Sequence, residues 1–471
     1  MLRLTASVPV DTLWDTLLPQ PLRELPEDLA GIDRLLDDPA LLLPFQQHWA
    51  QLHEGTPLGR PTIPMDTYLR VMVLKHRYGW GYETLIHELS DSLHLRRFCH
   101  IALFDIVPHE STVRKLTRRL GPQLLDELIR GLFAKALRER RFRPRALRTD
   151  STVAEADIRF PTDSGLCADG VKLLARAARK VRLLIPTVRE KVRDRSRAVG
   201  KRLRALGRSL RRRTGKAEGA VQRFTEEAGA QVRASLREAK RVVEAARRAR
   251  SRIKGASTHT RRRAIQYLEQ TMALAERVVQ QVRQRFANEK IQDRLVSFAD
   301  PDARPVRRGK LARPNEFGYV VQLTEVTEHT RRGARGLILP PKLRPGSTHV
   351  NTLLPETVAE LKGLEIGLRE AAFDAGFVPE QTQQALAEVG AKVFIVGTPH
   401  PGSRRTRRRL ARYRVGSEGR IAHVKRELGA GRSRLRGTTG AQIWEGWVVL
   451  TYNLETLALK EAGKQGNART R

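Results

Sequence analysis

The stretch Arg145–Phe160, RALRTDSTVAEADIRF, decides the fold. Short alternating runs typical of β-strands begin there, after a long region in which apolar residues recur at helical spacing. The apolar run that opens this stretch leads directly into Asp150. We therefore predict that a sheet-containing domain starts at residue 146 and that Asp150 lies at the C-terminal end of its first strand.

Before this stretch, residues 1–145 are predicted to form an all-helical N-terminal domain. Its apolar periodicity breaks at Gly79–Gly81, and a later amphipathic helix begins with Ser111 or Thr112 as its capping residue. The pattern fits a helix-turn-helix reader of DNA, and it fits a plain helical bundle equally well. The basic character of the later helix favours DNA contact. Its candidate contact residues are Arg114, Lys115, Arg118 and Arg119.

After the stretch, the sheet domain is interrupted by residues 171–290, which are helical in pattern and rich in Arg, Lys, Ala and Glu. A less regular apolar series over residues 221–246 precedes a regular one, and SRIKGASTHT at 251–260 can turn the chain back. The regular series is a heptad seam, formed by Ile265, Leu268, Met272, Ala275, Val279, Val282 and Phe286. We predict a basic, coiled-coil-like helical hairpin that serves dimerisation or DNA binding, or is a solvated structural arm.

The β pattern resumes after the insertion, so residues 146–170 and 291–460 are predicted to form one mixed α/β domain. Helical patterns follow the last two of its later strands. Those strands are predicted at LVSFAD (295–300), GYVVQLTEVTE (318–328), LREAAFDAGF (368–377) and KVFIVG (392–397). An apolar helix over 440–460 then places Trp444 and Trp447 in the core, and residues 461–471 should be a disordered tail.

The overall charge points to a nucleic-acid partner. The chain has 88 Lys and Arg residues against 51 Asp and Glu residues, a net charge of +37, which favours salt-sensitive binding to DNA or RNA. Aromatic residues make up only 5% of the chain, too few for extended base stacking. We find no apolar run long enough for a membrane span and no secretory leader, so no membrane partner is expected. Cys99 and Cys167 are the only two cysteines of the chain. Two are too few for a zinc finger, and so low a number fits a reducing cytoplasm.

Three carboxylates are the candidate catalytic residues. Asp150 and Asp374 each follow an apolar run, and α/β sheets place function at the C-terminal ends of their strands. Glu418 stands in an arginine-rich segment that is otherwise nearly free of acidic residues. Hard oxygen ligands favour Mg²⁺, with Mn²⁺ as a substitute, and two such ions can support phosphodiester chemistry. The nearby Asp157 and Asp163 compete for the first position, but no apolar run leads into them.

The order Asp150, Asp374, Glu418 resembles the DDE triad of bacterial insertion-sequence transposases, which carry a ribonuclease-H-like catalytic core. The spacing Arg414-x3-Glu418-x6-Lys425 matches the Arg, Glu and Lys of the Tyr-Arg-Glu-Lys motif in one branch of that family, although Ala411 stands at the tyrosine position. The segments around Asp150 and Glu418 also resemble a less-classified, ISNCY-like group. The resemblance implies that the three carboxylates bind the metal ions and that Arg414 and Lys425 bind phosphates near the scissile bond.

The resemblance further implies a DNA transposase that binds terminal inverted repeats as a homodimer on double-stranded DNA, in the bacterial cytoplasm with the nucleoid. Further DNA contacts are expected from the arginines around Glu418, which are Arg404, Arg405, Arg407, Arg408, Arg432 and Arg434. Two alternatives to a transposase remain open: a plain metal-dependent nuclease of the same fold, and a non-catalytic basic DNA-binding protein.

Overall fold

The chain forms two compact units in the computed structural model. Unit 1 combines Met1–Ala156 with Tyr319–Arg471, and unit 2 is Asp157–Gly318. No helix in the described part of the chain has the length and apolar character needed to cross a membrane. The structure describes residues 17–52, 63–211, 217–250, 258–307 and 315–469.

The N-terminal part of unit 1 is helical, in agreement with its apolar periodicity. Its helices are α1 (Gln20–Arg23), α2 (Glu27–Leu36), α3 (Leu43–Leu52), α4 (Met65–Arg77), α5 (Tyr82–Asp91), α6 (Leu93–Phe98), α7 (Glu110–Leu120) and α8 (Gln123–Arg138), with a 3₁₀ turn at Pro39–Leu41. The predicted break after α4 is confirmed, because Gly79 has φ +65°. The predicted cap of α7 was wrong. Its N-cap is His109, whose ring accepts a hydrogen bond from the backbone N–H of Ser111.

The strands form a mixed sheet. In chain order they are β1 (Ala146–Ala156), β2 (Arg304–Arg307), β3 (Asn315–Thr327), β4 (Leu337–Ile338), β5 (Lys342–Pro345), β6 (Glu370–Phe373), β7 (Lys392–Ile395) and β8 (Arg432–Ser433). In unit 1, β6 and β7 follow β1 as parallel neighbours, and β3 lies on the other side of β1. β4 and β5 pair antiparallel with β3, and β8 pairs with the last two residues of β1.

Four further helices complete unit 1. They are α13 (Leu354–Gly363), α14 (Pro379–Ala387), α15 (Arg404–Glu427) and α16 (Gly437–Arg469), with a 3₁₀ turn at Val350–Leu353. α15 packs on the sheet through Leu410 and Tyr413, which join a buried cluster with Ala146, Ala372 and Phe394. This packing explains why one face of an arginine-rich helix remains apolar.

α16 is the central helix of unit 1. Trp444 and Trp447 are 6% and 2% exposed, so their predicted place in the core is confirmed. The helix packs against α2, α4 and α8, and a Cβ on Gly446 would meet Leu125 of α8 at 2.9 Å. It continues to Arg469, although residues 461–471 were expected to be disordered. Ala, Lys and Gln in this segment favour helix, and residues 470–471 lie outside the described part of the chain.

Unit 2 is a helical assembly with its own core. In chain order, unit 2 lies between α8 and α13. Its helices are α9 (Asp163–Leu184), α10 (Ser196–Arg211), α11 (Ala217–Arg250) and α12 (Thr258–Phe286). The predicted hairpin corresponds to α11 and α12, whose apolar seams share one buried cluster with α9. Within the heptad seam, Ile265, Leu268, Ala275 and Val282 are buried. Of the predicted turn at 251–260, residues 251–257 lie outside the described part of the chain, and residues 258–260 belong to α12.

The inserted unit is larger than the predicted 171–290, because α9 begins at Asp163 and residues after α12 also pack into the core. The strand predicted at 295–300 does not form. The side chain of Gln281 bonds both the N–H and the C=O of Leu295, at 2.6 and 3.2 Å, so this backbone is satisfied without a sheet partner. Asp163 is a helix-starting residue bonded to Arg285 and Arg294, which assigns it a structural role.

Candidate active site

The two aspartates lie on neighbouring parallel strands. The register of β1 and β6 pairs Arg148 with Ala372, so two residues further on Asp150 is level with Asp374. Asp374 directly follows β6, as predicted. The prediction that Asp150 ends its strand was wrong, because β8 pairs with β1 beyond the residues that pair with β6, and β1 extends to Ala156.

Glu418 lies in the middle of α15, on the same helix as Arg414 and Lys425. The helix runs unbroken through Gly416, so Arg414 does not come from a preceding loop. Gly416 has another role, since a Cβ there would lie 2.0 Å from Nη1 of the buried Arg148. The glycine lets α15 approach the sheet closely enough for Ser417 to donate a hydrogen bond to Asp150.

Arg414 joins the three carboxylates. One guanidinium nitrogen, Nη1, lies 2.5 Å from Glu418 Oε1, and the other, Nη2, lies 3.6 Å from Asp150 Oδ2 and 3.9 Å from Asp374 Oδ2. Sequence analysis assigned Arg414 to DNA phosphates, but in this structure its partners are the carboxylates. The three acidic side chains therefore already surround a single cationic group.

Asp150 is the most enclosed of the three carboxylates, at 8% exposure. Burial raises its pKa above the ordinary value, and nearby Asp374 adds to the rise. Hydrogen bonds from the N–H of Ser151 (2.8 Å) and the hydroxyl of Ser417 (3.2 Å) favour the ionised form, as does Arg414. These donors orient the carboxylate, while Glu418 remains exposed.

A buried ion pair supports the site from below. Arg148 and Glu325 are each 3% exposed and lie 2.6 Å apart, and Arg420 of α15 also bonds Glu325. The guanidinium of Arg148 donates further bonds to the backbone oxygens of Tyr413 and Ala334. Sequence analysis missed these residues. The only signal was an arginine two positions before Asp150, which places both side chains on one face of β1.

The residues fit a divalent cation. Three carboxylates without histidine or thiol form the hard oxygen donor set that Mg²⁺ and Mn²⁺ prefer. Their oxygens are not all within 4.8 Å of one another, since among the described residues only Asp33, Asp37 and His100 meet that condition. In that other cluster, however, the buried Arg70 bonds both aspartates. We therefore interpret it as a structural ion-pair network in the N-terminal helices.

The remaining predicted DNA contacts fall into separate groups. At the start of α15, Arg404, Arg405, Arg407 and Arg408 are all exposed. After α15, Arg432 and Arg434 are also exposed, and Arg432 lies 3.0 Å from Glu155.

On α7, Lys115, Arg118 and Arg119 are exposed, whereas Arg114 is half-buried and bonds Glu110. The structure therefore brings together only the carboxylates, Arg414 and the rest of α15, and it does not bring α7 into that cluster.

Comparison with known proteins adds a family assignment to this geometry. Residues 20–119, which include α1 to α6 and most of α7, match a transposase domain family, DUF772. The chain is also 30% identical over 145 residues to an uncharacterised protein of Rhizobium meliloti, ORF8 in the nfe locus. The similar region is 28% of this chain and 69% of that protein. No solved structure matches the chain.

Proposed function

Because the chain belongs to the transposase family that DUF772 marks, we propose that it is a DNA transposase acting on the ends of its own insertion sequence. It binds the terminal inverted repeats, hydrolyses a phosphodiester bond there, and joins the freed 3′-hydroxyl to target DNA. Both steps are in-line displacements at phosphorus, so one site serves both without a covalent intermediate or ATP.

The observation that carries this proposal is the convergence of Asp150, Asp374 and Glu418 on the guanidinium of Arg414. Two neighbouring parallel strands and one helix supply the carboxylates, in the chain order of a DDE triad. The mixed sheet, with helices α13, α14 and α15 following its strands, supports a ribonuclease-H-like core for unit 1.

We propose that Asp150, Asp374 and Glu418 hold Mg²⁺, with up to two ions per site. Mn²⁺ can replace Mg²⁺ there. When bound, such ions activate the attacking oxygen and stabilise the leaving one. Arg414 neutralises the carboxylates in the metal-free protein. Once the carboxylates bind metal, its guanidinium is available to pair with a DNA phosphate, which reconciles its observed contacts with its predicted role.

The exposed arginines of α15 supply a phosphate-binding surface leading to the carboxylates. Arg404, Arg405, Arg407 and Arg408 occupy its first turns, and the net charge of +37 favours double-stranded DNA as the partner. Two element ends must be joined, so we propose that the active form is a homodimer on DNA, associated with the nucleoid in the bacterial cytoplasm.

The test compares wild type with Asp150→Asn on a plasmid that carries the DNA flanking the gene, with Mg²⁺ or Mn²⁺ present. Asp157→Asn is the matched control, because the same charge is removed from an exposed side chain just beyond β1. We expect wild type and the control to cut at the element ends, and Asp150→Asn to bind DNA normally without cutting.

The other outcomes separate the alternatives. Cutting at random positions would favour a plain nuclease of the same fold. If wild type binds DNA with a steep salt dependence but never cuts, the carboxylates are structural and the protein is a DNA-binding protein.

A further inference from the structure

Unit 1 contains a second basic site, a cavity of about 210 Å³ between the end of α4, the turn after α15 and the start of α16. Four cationic side chains and three glycines line it, and none of its lining residues is acidic. The cations are Lys75, Lys425, Arg432 and Arg434; the glycines are Gly79, Gly429 and Gly431; and Trp444 forms a wall.

Lys75 is the central residue of this cavity. It is 2% exposed, and its ammonium lies 4.4 Å from the ring centroid of Trp444 and 4.9 Å from that of Tyr82. Within the described part of the chain, no carboxylate forms an ion pair with Lys75. Burial, with a smaller contribution from the positive charge of Arg434, lowers its pKa to about 7. A buried ammonium without a counterion is costly, so this position favours an anion.

The neighbouring groups do not provide that anion. His76 is buried and its pKa lies well below the ordinary value, because of burial and the charge of Lys75, so it is neutral. Glu445 lies next to Trp444 in the chain, but it is fully buried, and burial raises its pKa to about 8. Near neutral pH, Lys425, Arg432 and Arg434 make the charge facing the cavity positive, and a bound anion would favour the protonated form of Lys75.

The size and position of the cavity identify the kind of anion. Its volume equals about seven water molecules and lies below the usual range of small-molecule pockets, which suits a phosphate with its attached sugar. Lys425 follows Glu418 by seven residues on α15, which is about 10 Å along the helix axis. That distance is about three nucleotide steps along one strand of B-DNA.

We propose that this cavity binds one backbone phosphate of the DNA strand that is held at the carboxylate cluster, with Lys75 as its buried partner and Trp444 packed against the sugar. This inference rests on the proposed function, since it assumes that DNA lies across α15. It assigns a DNA contact to a residue of the DUF772 region that lies outside the basic helix α7.

The test measures binding of an element-end duplex by the full-length protein, using fluorescence anisotropy at several salt concentrations. We expect Lys75→Met to weaken binding about tenfold and to reduce the slope of log K against log salt by about one. Lys392→Met is the matched control, because Lys392 is exposed at the start of β7 and does not line the cavity. It should leave both quantities unchanged.

The position of the bound phosphate is tested with a series of duplexes, each of which carries one uncharged methylphosphonate at a different backbone position. In wild type, a methylphosphonate about three nucleotides from the cleaved bond should weaken binding about tenfold, and in Lys75→Met the same substitution should have a much smaller effect. If every position affects wild type and Lys75→Met equally, the proposal is overturned.

Two further results keep this proposal separate from others. If inorganic phosphate raises the Tm of wild type but not of Lys75→Met, while DNA binding is unchanged, the cavity binds free phosphate and the DNA contact is refuted. Loss of DNA binding in Lys75→Met without a lower Tm supports the site even if wild type never cuts DNA. Normal cutting by wild type with unchanged DNA binding in Lys75→Met refutes the site alone.

Discussion

Gly416→Ala tests whether the close approach of α15 to the sheet builds the site. An added Cβ would lie 2.0 Å from Nη1 and 2.9 Å from Cζ of Arg148, well inside ordinary contact distance. Arg148 is not free to retreat, since it is 3% exposed and its guanidinium donates to Glu325 and to two backbone oxygens. Either those bonds break or α15 moves outward with Glu418.

The magnitude follows from the bonds at risk. Losing one or two hydrogen bonds of a buried charged group costs about 2–5 kcal/mol, and the higher helix propensity of alanine offsets about 1 kcal/mol. Gly416→Ala should therefore lower the free energy of unfolding by about 1–4 kcal/mol. Gly419→Ala is the matched control on the same helix. Its Cβ would meet nothing within 4 Å, so the variant should gain up to about 1 kcal/mol.

Urea unfolding followed by tryptophan fluorescence is a suitable assay, because none of the five tryptophans lies in unit 2 (157–318). The signal therefore reports the unfolding of unit 1. If Gly416→Ala proves as stable as Gly419→Ala, the contact between α15 and Arg148 is not formed in solution and the reasoning fails. We also expect Gly416→Ala to reduce DNA cutting, whereas Gly419→Ala should not, because only the first displaces the carboxylates.

Three further changes give distinct readouts. Glu445 is fully buried with neither oxygen hydrogen-bonded, and its pKa rises from 4.5 to about 8, so the native state keeps a proton that the unfolded chain loses. Between pH 4.5 and pH 8, wild-type stability in urea unfolding should fall by about 4 kcal/mol more than that of Glu445→Gln, because most of the 3.5 pKa units at about 1.4 kcal/mol each is lost by pH 8; parallel pH curves would contradict this. In thermal unfolding without DNA, Arg414→Gln should reach the same rise in Tm as wild type at an about tenfold lower Mn²⁺ concentration. The reason is that one charged hydrogen bond of roughly 1.5 kcal/mol no longer competes with Mn²⁺ for the carboxylates; equal Mn²⁺ dependence of the two proteins would exclude that competition. Ser417→Ala removes a donor to ionised Asp150 and raises its pKa, so the acid limb of the pH profile for DNA cutting should move up by as much as about one pH unit; an unmoved limb would show that Asp150 does not set it.

The predictable part of this protein lies in features that are local in sequence. Helical spacing predicted the hairpin of α11 and α12. The strand end before Asp374 was also readable, because a short apolar run and a turn mark it.

The remaining features depend on partners far away in the chain. Asp150 lies within its strand because β8 pairs with residues 155 and 156 from 277 positions away. Lys75 reads as an ordinary helical lysine until Trp444, 369 residues later, encloses it. The contacts of Arg414 with two strands were equally invisible, since an arginine in a basic segment has many possible partners.

The placement of unit 2 between β1 and β3 has a consequence for the order of folding. These strands are neighbours in the sheet, yet 158 residues (157–314) separate their ends in the sequence. Closing a flexible loop of that length costs about 3 kcal/mol more than closing a short hairpin. A nascent chain would expose β1 without this neighbour until unit 2 has been synthesised. Early folding of the helices of unit 2, whose apolar seams are local, would shorten that interval and protect β1 from aggregation.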